Sequence, residues 1–529
     1  MIWLEKNEKK LVVVFTALAL ALRVCYLLLS DNYFNGDTGT RLYMSFEWAK
    51  SPQFFEGYDW LPLHFYLLGT VIAVFHDTIW APRILTLLIG TLSIAPFYFL
   101  VKRVFGISTA VISTLVFAVL PAHILLSVIT LSEAPFVLFL LLSALFIFKY
   151  IQFQRPHHFF LAILFISCIN FIRFEGWVFT ALYTAVLFFN GIPLRKVVRF
   201  VLYVSIIPAF VMLASFIGTG NPLRGLLYSD FEVIESIKLY GPNIADRGRQ
   251  IQMAFMALSF LFLPLGIIAL TNDKRKLFYV MLFVVPLFSV LGKIFNFTLH
   301  PQFRYFISAA VLGIPFFVEG VKLLLSKIVR IKNEALVLAL SAVICLGCSF
   351  SRYKLDLYDP LVCEQNGKFN KGLKESAKWV KENLKTGNLY VDDDNFIVYN
   401  WMAFAQILSE ENKRLPADLS FGEFSKIFLN AHNFYHYSWA PYVFSYEDPN
   451  PIPKKVVGFY KSNVWAGDKF TEDKFYNKLL AQNVTHLVFF KNGFLTKQLK
   501  FKNEIETWRA LKFRKVYDMN EYRVYQLER

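Results

Sequence analysis

Residues 11–62 read "LVVVFTALALALRVCYLLLSDNYFNGDTGTRLYMSFEWAKSPQFFEGYDWLP". The first twenty are apolar except for Arg23 and a few small polar residues, and a helix of that length covers the ~30 Å of a bilayer's hydrocarbon core. Lys6, Lys9 and Lys10 precede the run. Cytoplasmic flanks carry the excess of Lys and Arg, so the N-terminus reads as cytoplasmic and the following loop as external. The run is long and lacks a small-x-small cleavage site, so it reads as a retained first helix rather than a removed signal. The loop, residues 31–62, sets Asp31, Asp37, Glu47, Glu56 and Asp59 against only Arg41 and Lys50. An acidic loop in a chain of net charge +16 asks for a chemical reason.

The pattern extends through two thirds of the chain. Of 529 residues, 56% are hydrophobic and 18% charged, which is too few charges to cover a soluble protein of this size. The excess of Lys and Arg reads as cytoplasmic loops facing anionic membrane lipid, not as a nucleic-acid surface. Apolar runs at 11–30, 82–101, 108–126, 131–148, 158–172, 177–190, 198–218, 251–271, 277–292, 305–324 and 334–351 make about eleven transmembrane helices. A shorter run, 63–75, is bounded by Pro62 and by His76 and Asp77 and reads as an interfacial or re-entrant helix. Each inward turn carries a basic cluster, among them Lys102 with Arg103, Arg195 with Lys196 and Arg199, and Lys327 with Arg330 and Lys332.

Past residue 352 no segment can span, and helical and strand-like stretches alternate. "ESAKWVKENLK" has a helical period, "NLYV" and "VTHLVFF" read as strands, and "FRKVYDMNEYRVYQLE" reads as a terminal hairpin turning at Asn520. The expected organisation is a polytopic all-α membrane domain, 1–351, followed by a small extracytoplasmic α/β domain, 352–529.

Polar residues at the outer membrane edge carry the functional signal, because burying charge there is costly without a partner. The charge-derived topology gathers Arg23, Asp37, Glu133, Arg173, Glu175, His300, Arg304 and Tyr305 on one side. Plain structural alternatives stay open: Arg23 snorkelling or pairing with Glu133, Glu133 stabilising its helix N-terminus, Arg173 and Glu175 marking a turn, and His300 as a loop residue. Asp392–Asp394 reads as a solvated turn before it reads as a metal site. There is no P-loop, no GxGxxG ahead of a helix, no HExxH and no zinc cysteine spacing. Chemistry outside the membrane without a nucleotide points to a substrate activated elsewhere and delivered through lipid.

The stretches "ALRVCYLLLSDNYFNGDTGTRLYMSFEWAK", "WLPLHFYLLGTVIAVF", "APRILTLLIGTLSIAPFYFLVKRVFG" and "LPAHILLSVITLSEAPFVLFLLLSALFIF" resemble the GT-C membrane glycosyltransferases, nearest to the protein O-mannosyltransferase and aminoarabinose transferase group, glycosyltransferase family 39. The late "FRYF" before "PFFVEG" and the outer α/β domain fit the same plan. The resemblance implies a polyprenyl-phosphate sugar donor, dolichyl or undecaprenyl, and transfer on the extracytoplasmic face to an acceptor protein, lipid or glycan. It implies a catalytic acid in the first outer loop, the place of Asp37. It also implies basic residues on the lipid phosphate, the place of Arg304 and of His300 or Arg173; Glu133, Tyr305 and Arg23 complete the candidate donor site. The family's adjacent Asp-Glu pair is here Asp37–Thr38, a departure that bears on any two-acid mechanism.

The chemistry of the residues agrees. A sugar phosphoester brings its own leaving group, so the protein has to accept the proton of the acceptor hydroxyl and neutralise the departing phosphate. Single displacement inverts the anomeric centre. No cofactor is required by the pattern, no metal ligand set is evident, and a divalent cation assisting the phosphate is left open. Three other readings stand beside this one. A lipid-linked solute transporter or flippase would need inverted repeats, which the sequence lacks. A noncatalytic GT-C scaffold of an envelope assembly would fit the missing second acid, and a ligase moving a whole oligosaccharide would need the same base and phosphate clamp.

Overall fold

The computed structural model describes residues 2–29, 36–50, 52, 60–219, 221–223, 274–295, 303–329, 331, 333–351, 375, 376, 379, 382, 383, 387–392, 444–446, 472–481, 483–490, 499–519 and 522–528. Two compact units form. The first holds the described residues within Met1–Leu29, Gly57–His64 and Ile84–Tyr358, the second those within Ser30–Glu56, Phe65–Arg83 and Asp359–Arg529.

The helices are α1 Ile2–Lys6, α2 Glu8–Leu29, α3 Gly36–Lys50, α4 Leu63–Phe75, α5 Trp80–Leu92, α6 Ile94–Phe105, α7 Ile107–Ala118, α8 Pro121–Leu126, α9 Glu133–Phe153, α10 Pro156–Ile172, α11 Glu175–Phe189, α12 Leu194–Val204, α13 Ile206–Thr219, α14 Lys274–Phe295, α15 Ile307–Leu323 and α16 Glu334–Ser351. All but α1 and α3 follow the apolar runs; α3 is a polar helix within the acidic stretch 31–62 that the sequence reads as a loop. Among the described residues, five stretches are long and apolar enough to cross a bilayer: Glu8–Leu29, Trp80–Phe105, Glu133–Phe153, Leu194–Ile217 and Arg304–Lys327. The protein is an integral membrane protein with the all-α membrane part and the strand-bearing C-terminal part that the sequence implied.

Burial sorts the helices of the first unit. In α15 every residue from Ile307 to Val318 is buried, so it is apolar all round and central. In α2 only Val12, Phe15, Ala19, Arg23 and Leu27 are buried, one stripe at helical spacing, while Val13, Val14, Leu28 and Leu29 are exposed for lipid to cover. Aromatic side chains fill the seams. Phe105, Tyr279 and Phe316 meet edge to face and tie α6, α14 and α15, and Phe165 of α10 stacks between Phe139 and Phe146 of α9. Gly106 turns α6 into α7 with a φ of 89°, in the left-handed region that favours glycine.

The polar contacts define one end of this unit. Lys102 Nζ lies 2.6 Å from Glu8 Oε2, Arg103 Nη1 donates to Gln152 Oε1 at 2.7 Å, and Lys322 Nζ reaches Thr109 Oγ1 at 2.9 Å. The start of α2, the end of α6, the start of α7, the end of α9 and the end of α15 therefore lie together at a basic end. The starts of α9 and α15 belong to the opposite end.

Several boundaries differ from the sequence reading for identifiable reasons. The run 108–126 is not one helix: α7 stops at Ala118, Leu120 is extended with φ −64° and ψ 111°, and Pro121 opens α8. Proline disfavours a helical residue before it and lacks the N–H that would continue the ladder. The run 198–218 starts earlier, at Leu194, so Arg195, Lys196 and Arg199 lie on the helix itself. At 13 residues, Leu63–Phe75 is too short to span, as read. The run 251–271 lies outside the described residues.

In the second unit the C-terminal region forms a six-stranded sheet of order β2-β1-β3-β6-β5-β4, with β1 Gly387–Asp392, β2 Phe444–Tyr446, β3 His486–Phe490, β4 Ile505–Trp508, β5 Leu511–Met519 and β6 Tyr522–Glu528. β1 and β3 are parallel, and α17 Glu472–Ala481 precedes β3; the other pairs are antiparallel. The expected strands and hairpin are present, with a bulge between Lys515 and Tyr517. Leu479, Leu487, Phe489, Phe501, Phe513 and Tyr525 form the core of this sheet. Residues 393–394 of the Asp triplet lie outside the described residues.

Candidate functional site

Four helix ends of the first unit converge on charged side chains. Glu133 is the first residue of α9, Arg173 the extended residue after α10 (φ −147°, ψ 144°), and Glu175 the first residue of α11. Arg304 and Tyr305 sit in a 3-10 turn, Phe303–Phe306, that leads into α15. Acids at helix N-termini face the positive end of the dipole, which lowers the cost of placing Glu133 and Glu175 there.

Arg173 is the hub. Its Nη1 donates to Glu133 Oε1 at 2.9 Å and to Ser132 Oγ at 3.3 Å; its Nε and Nη2 donate to Glu175 Oε2 and Oε1 at 3.2 and 2.7 Å. The two-residue spacing that keeps Arg173 and Glu175 off a common helix face instead lets them pair across the turn. Gly176 lets that turn close: a Cβ there would come 2.5 Å from the Ile169 carbonyl oxygen. Burial works against the Arg173 charge, but Glu175 and Glu133 outweigh it and hold the guanidinium above its ordinary range.

Arg304 approaches the same carboxylate more loosely. Its Nε lies 3.7 Å from Glu133 Oε1, Nη2 donates to the Tyr305 hydroxyl at 3.2 Å, and its guanidinium stands 5.0 Å from the Tyr305 ring centroid. The Tyr305 ring also lies 5.8 Å from the Arg173 guanidinium. The Glu133 side chain is 3% exposed, and among the described residues its Oε2 has no hydrogen-bond partner. Within this cluster two guanidinium groups balance two carboxylates. Arg173 is fixed by close bonds on two sides, whereas Arg304 shares its acid at a longer distance.

Arg23 does not join this cluster. It is fully buried, so it does not snorkel, and it does not meet Glu133. Its Nη1 donates to Ala19 O at 2.9 Å and lies 3.5 Å from Ala118 O, and Nη2 lies 2.7 Å from His123 Nδ1. Arginine can only donate, so Nδ1 accepts and the imidazole proton sits on Nε2. His123 is a buried polar group that the sequence reading did not single out; its signal was a histidine inside an apolar run just after Pro121. The pair ties α2 to the break between α7 and α8.

Asp37 is the second residue of α3 and belongs to the second compact unit. Its neighbour Thr38, which stands where the family's second acid would be, is buried, as is Arg41, whose guanidinium lies 5.9 Å from the Phe65 ring. His300 lies outside the described residues. Among the described residues no three His, Cys, Asp or Glu side chains gather as metal ligands would.

Sequence and fold comparisons agree on the class. Residues 59–218 match the family model of dolichyl-phosphate-mannose-protein mannosyltransferases. The fold is similar to that of ArnT from Cupriavidus metallidurans, solved with undecaprenyl phosphate, at 14% identity over 97% of both chains and a TM-score of 0.54. It is also similar to the Archaeoglobus fulgidus oligosaccharyltransferase, at 12% identity over 92% of this chain and 70% of that one, with a TM-score of 0.53. No curated protein sequence matches the chain. The chain therefore has the GT-C membrane fold. Within that class it resembles the protein O-mannosyltransferase and aminoarabinose transferase group.

Proposed function

We propose that this protein is a membrane glycosyltransferase that moves a sugar from a polyprenyl-phosphate donor to an acceptor hydroxyl on the extracytoplasmic face. The observation that carries the reading is the buried meeting of Arg173, Arg304 and Glu133 at the end of the helix bundle opposite the basic one. In this reading the basic end is cytoplasmic and the arginine–glutamate end external, as the positive-inside rule favours. The ArnT structure with its lipid phosphate supports the donor class.

In the proposed reaction the bond between the sugar C1 and the phosphate oxygen breaks as the acceptor oxygen bonds to C1 from the opposite side. The acceptor proton passes to the Asp37 carboxylate, and the bonding pair leaves on the phosphate oxygen. Arg304 is the residue suited to that oxygen, because its planar guanidinium offers a phosphate charge-assisted bonds shorter than its 3.7 Å approach to Glu133. Arg173, held on both sides by carboxylates, is a positioning residue: it keeps Glu133, and through it Arg304, in place.

A noncatalytic GT-C scaffold is the second reading, and the charge balance of the cluster favours it. The two are separated by measuring release of free polyprenyl phosphate from labelled undecaprenyl- and dolichyl-phosphate sugars in proteoliposomes, with and without a divalent cation. Turnover is expected in the parent. Asp37→Asn should lower kcat by about two to four orders of magnitude with donor KM nearly unchanged. Arg304→Ala should raise donor KM, and Arg304→Lys should recover part of it. Full turnover in Asp37→Asn removes the base from the proposal, and no turnover with any donor supports the scaffold.

A further inference from the structure

The opposite, basic end of the first unit holds a second group of cations that the transfer reaction does not use. Gln154, left-handed with φ 50°, folds α9 back; Arg155 is extended, and Pro156 opens α10. This turn sets three positive side chains and two histidines around the aromatic rings at the helix ends. The Arg103 guanidinium lies 5.5 Å from the Phe153 ring centroid and that of Arg155 5.9 Å from it. Lys149 Nζ stands 4.9 Å above the Phe146 ring. His158 lies 5.9 Å from Phe153 and 6.1 Å from Phe146, with His157 against it at 4.1 Å.

Among the described residues none of these cations meets a carboxylate. Arg103 donates to the neutral amide of Gln152. Two of the acids at this end are engaged elsewhere, Glu8 by Lys102 and Glu319 by Lys322 and Thr109. His158 is 8% exposed, and among the described residues its Nδ1 has no hydrogen-bond partner. Three uncompensated cations beside a buried imidazole with an unused nitrogen form a receptor for an anion with several oxygen acceptors.

The surroundings identify the carrier of that anion. Phe160 and Leu164 are 61% and 53% exposed and, with His157, follow one face of α10 from the charged end toward mid-helix. On α6, exposed Phe99 lies one turn from Arg103. In a chain that crosses the bilayer, charge at the helix ends above an exposed apolar track fits an amphiphile with an anionic head. We propose that Arg103, Lys149, Arg155, His157 and His158 form a headgroup site for an anionic phospholipid, with its acyl chains along Phe160 and Leu164. This site is separate from the donor site and lies at the other end of the bundle.

The test uses the full chain in nanodiscs of phosphatidylcholine with graded phosphatidylglycerol, followed by native mass spectrometry of retained lipid. Each cation near an anionic headgroup is worth about fivefold in affinity, so Arg155→Gln should weaken phosphatidylglycerol retention about fivefold. Arg103→Gln with Lys149→Gln and Arg155→Gln should weaken it about a hundredfold. Arg155 is exposed, so its single variant should melt like the parent and keeps the test valid if the triple variant misfolds. Arg195→Gln, Lys196→Gln and Arg199→Gln together remove the same charge from the same end and should leave the tightly held lipid in place. Equal loss in both triple variants, unchanged retention in Arg155→Gln, or equal retention of phosphatidylcholine would overturn the site. Displacement of the lipid by micromolar inorganic phosphate would overturn the lipid as its occupant.

Discussion

Replacing Glu133 tests whether the arginine–glutamate cluster is organised as the distances indicate. At 3.7 Å the attraction between Arg304 and Glu133 amounts to about 4 kcal/mol at an effective dielectric of about 20, before desolvation is subtracted. Arg173 adds a bond of 2.9 Å to the same oxygen. Removing one member of a buried pair costs roughly 3–5 kcal/mol, because the other charge stays buried. Arg173 keeps both of its bonds to Glu175, so Glu133→Ala should fall near the lower bound, about 3 kcal/mol. Glu133→Gln retains an oxygen acceptor and loses only the charge assistance, about 1 kcal/mol. Both values are read from reversible denaturation of the purified protein in one detergent. Equal stability of parent and Glu133→Ala would refute the view that Glu133 orders the two arginines.

Gly176→Ala should cost about 2 kcal/mol or more, because the new methyl meets the Ile169 carbonyl and backbone must shift; a melting temperature equal to the parent's would count against the close turn. In the C-terminal sheet, burial pushes the His486 imidazole down to about 4. The unfolded chain binds a proton near pH 6.5 that the folded sheet refuses, so this residue costs nothing above pH 6.5. Stability then falls between pH 6.5 and about 4, by about 3 kcal/mol in total. Hydrogen exchange across residues 486–490, corrected for intrinsic rates, should show that fall in the parent and less of it in His486→Gln; parallel curves for the two would refute it.

The apolar runs made the helices legible, and the basic clusters made it legible that Glu133, Arg173 and Arg304 share one end of the bundle. That inference needs only the alternation of helix directions. It could not say which acid each arginine meets, since partners 40 residues apart or more are chosen by helix packing rather than by spacing. Arg23 shows the limit: its depth in α2 suggested an outer-edge role, while its actual partner, His123, depends on a helix break that hydropathy passes over. Pro121 was the available sign of that break. The pairing of Arg173 with Glu175 was hidden for a different reason, because facing rules for helices do not apply across a turn.

The helix Ile307–Leu323 is fastened at both extremities. Arg304, just ahead of it, reaches Glu133, and Lys322 and Glu319 near its far end bind Ser108 and Thr109. Between Arg304 and Lys322 the axial rise is about 27 Å, close to the ~30 Å of the hydrocarbon core. Such a strut cannot slide past its neighbours without breaking polar contacts at one end. The position of Arg304 is thereby indexed to the far end of the bundle, and a shift of Lys322 or Glu319 along the helix axis is carried to the arginine cluster.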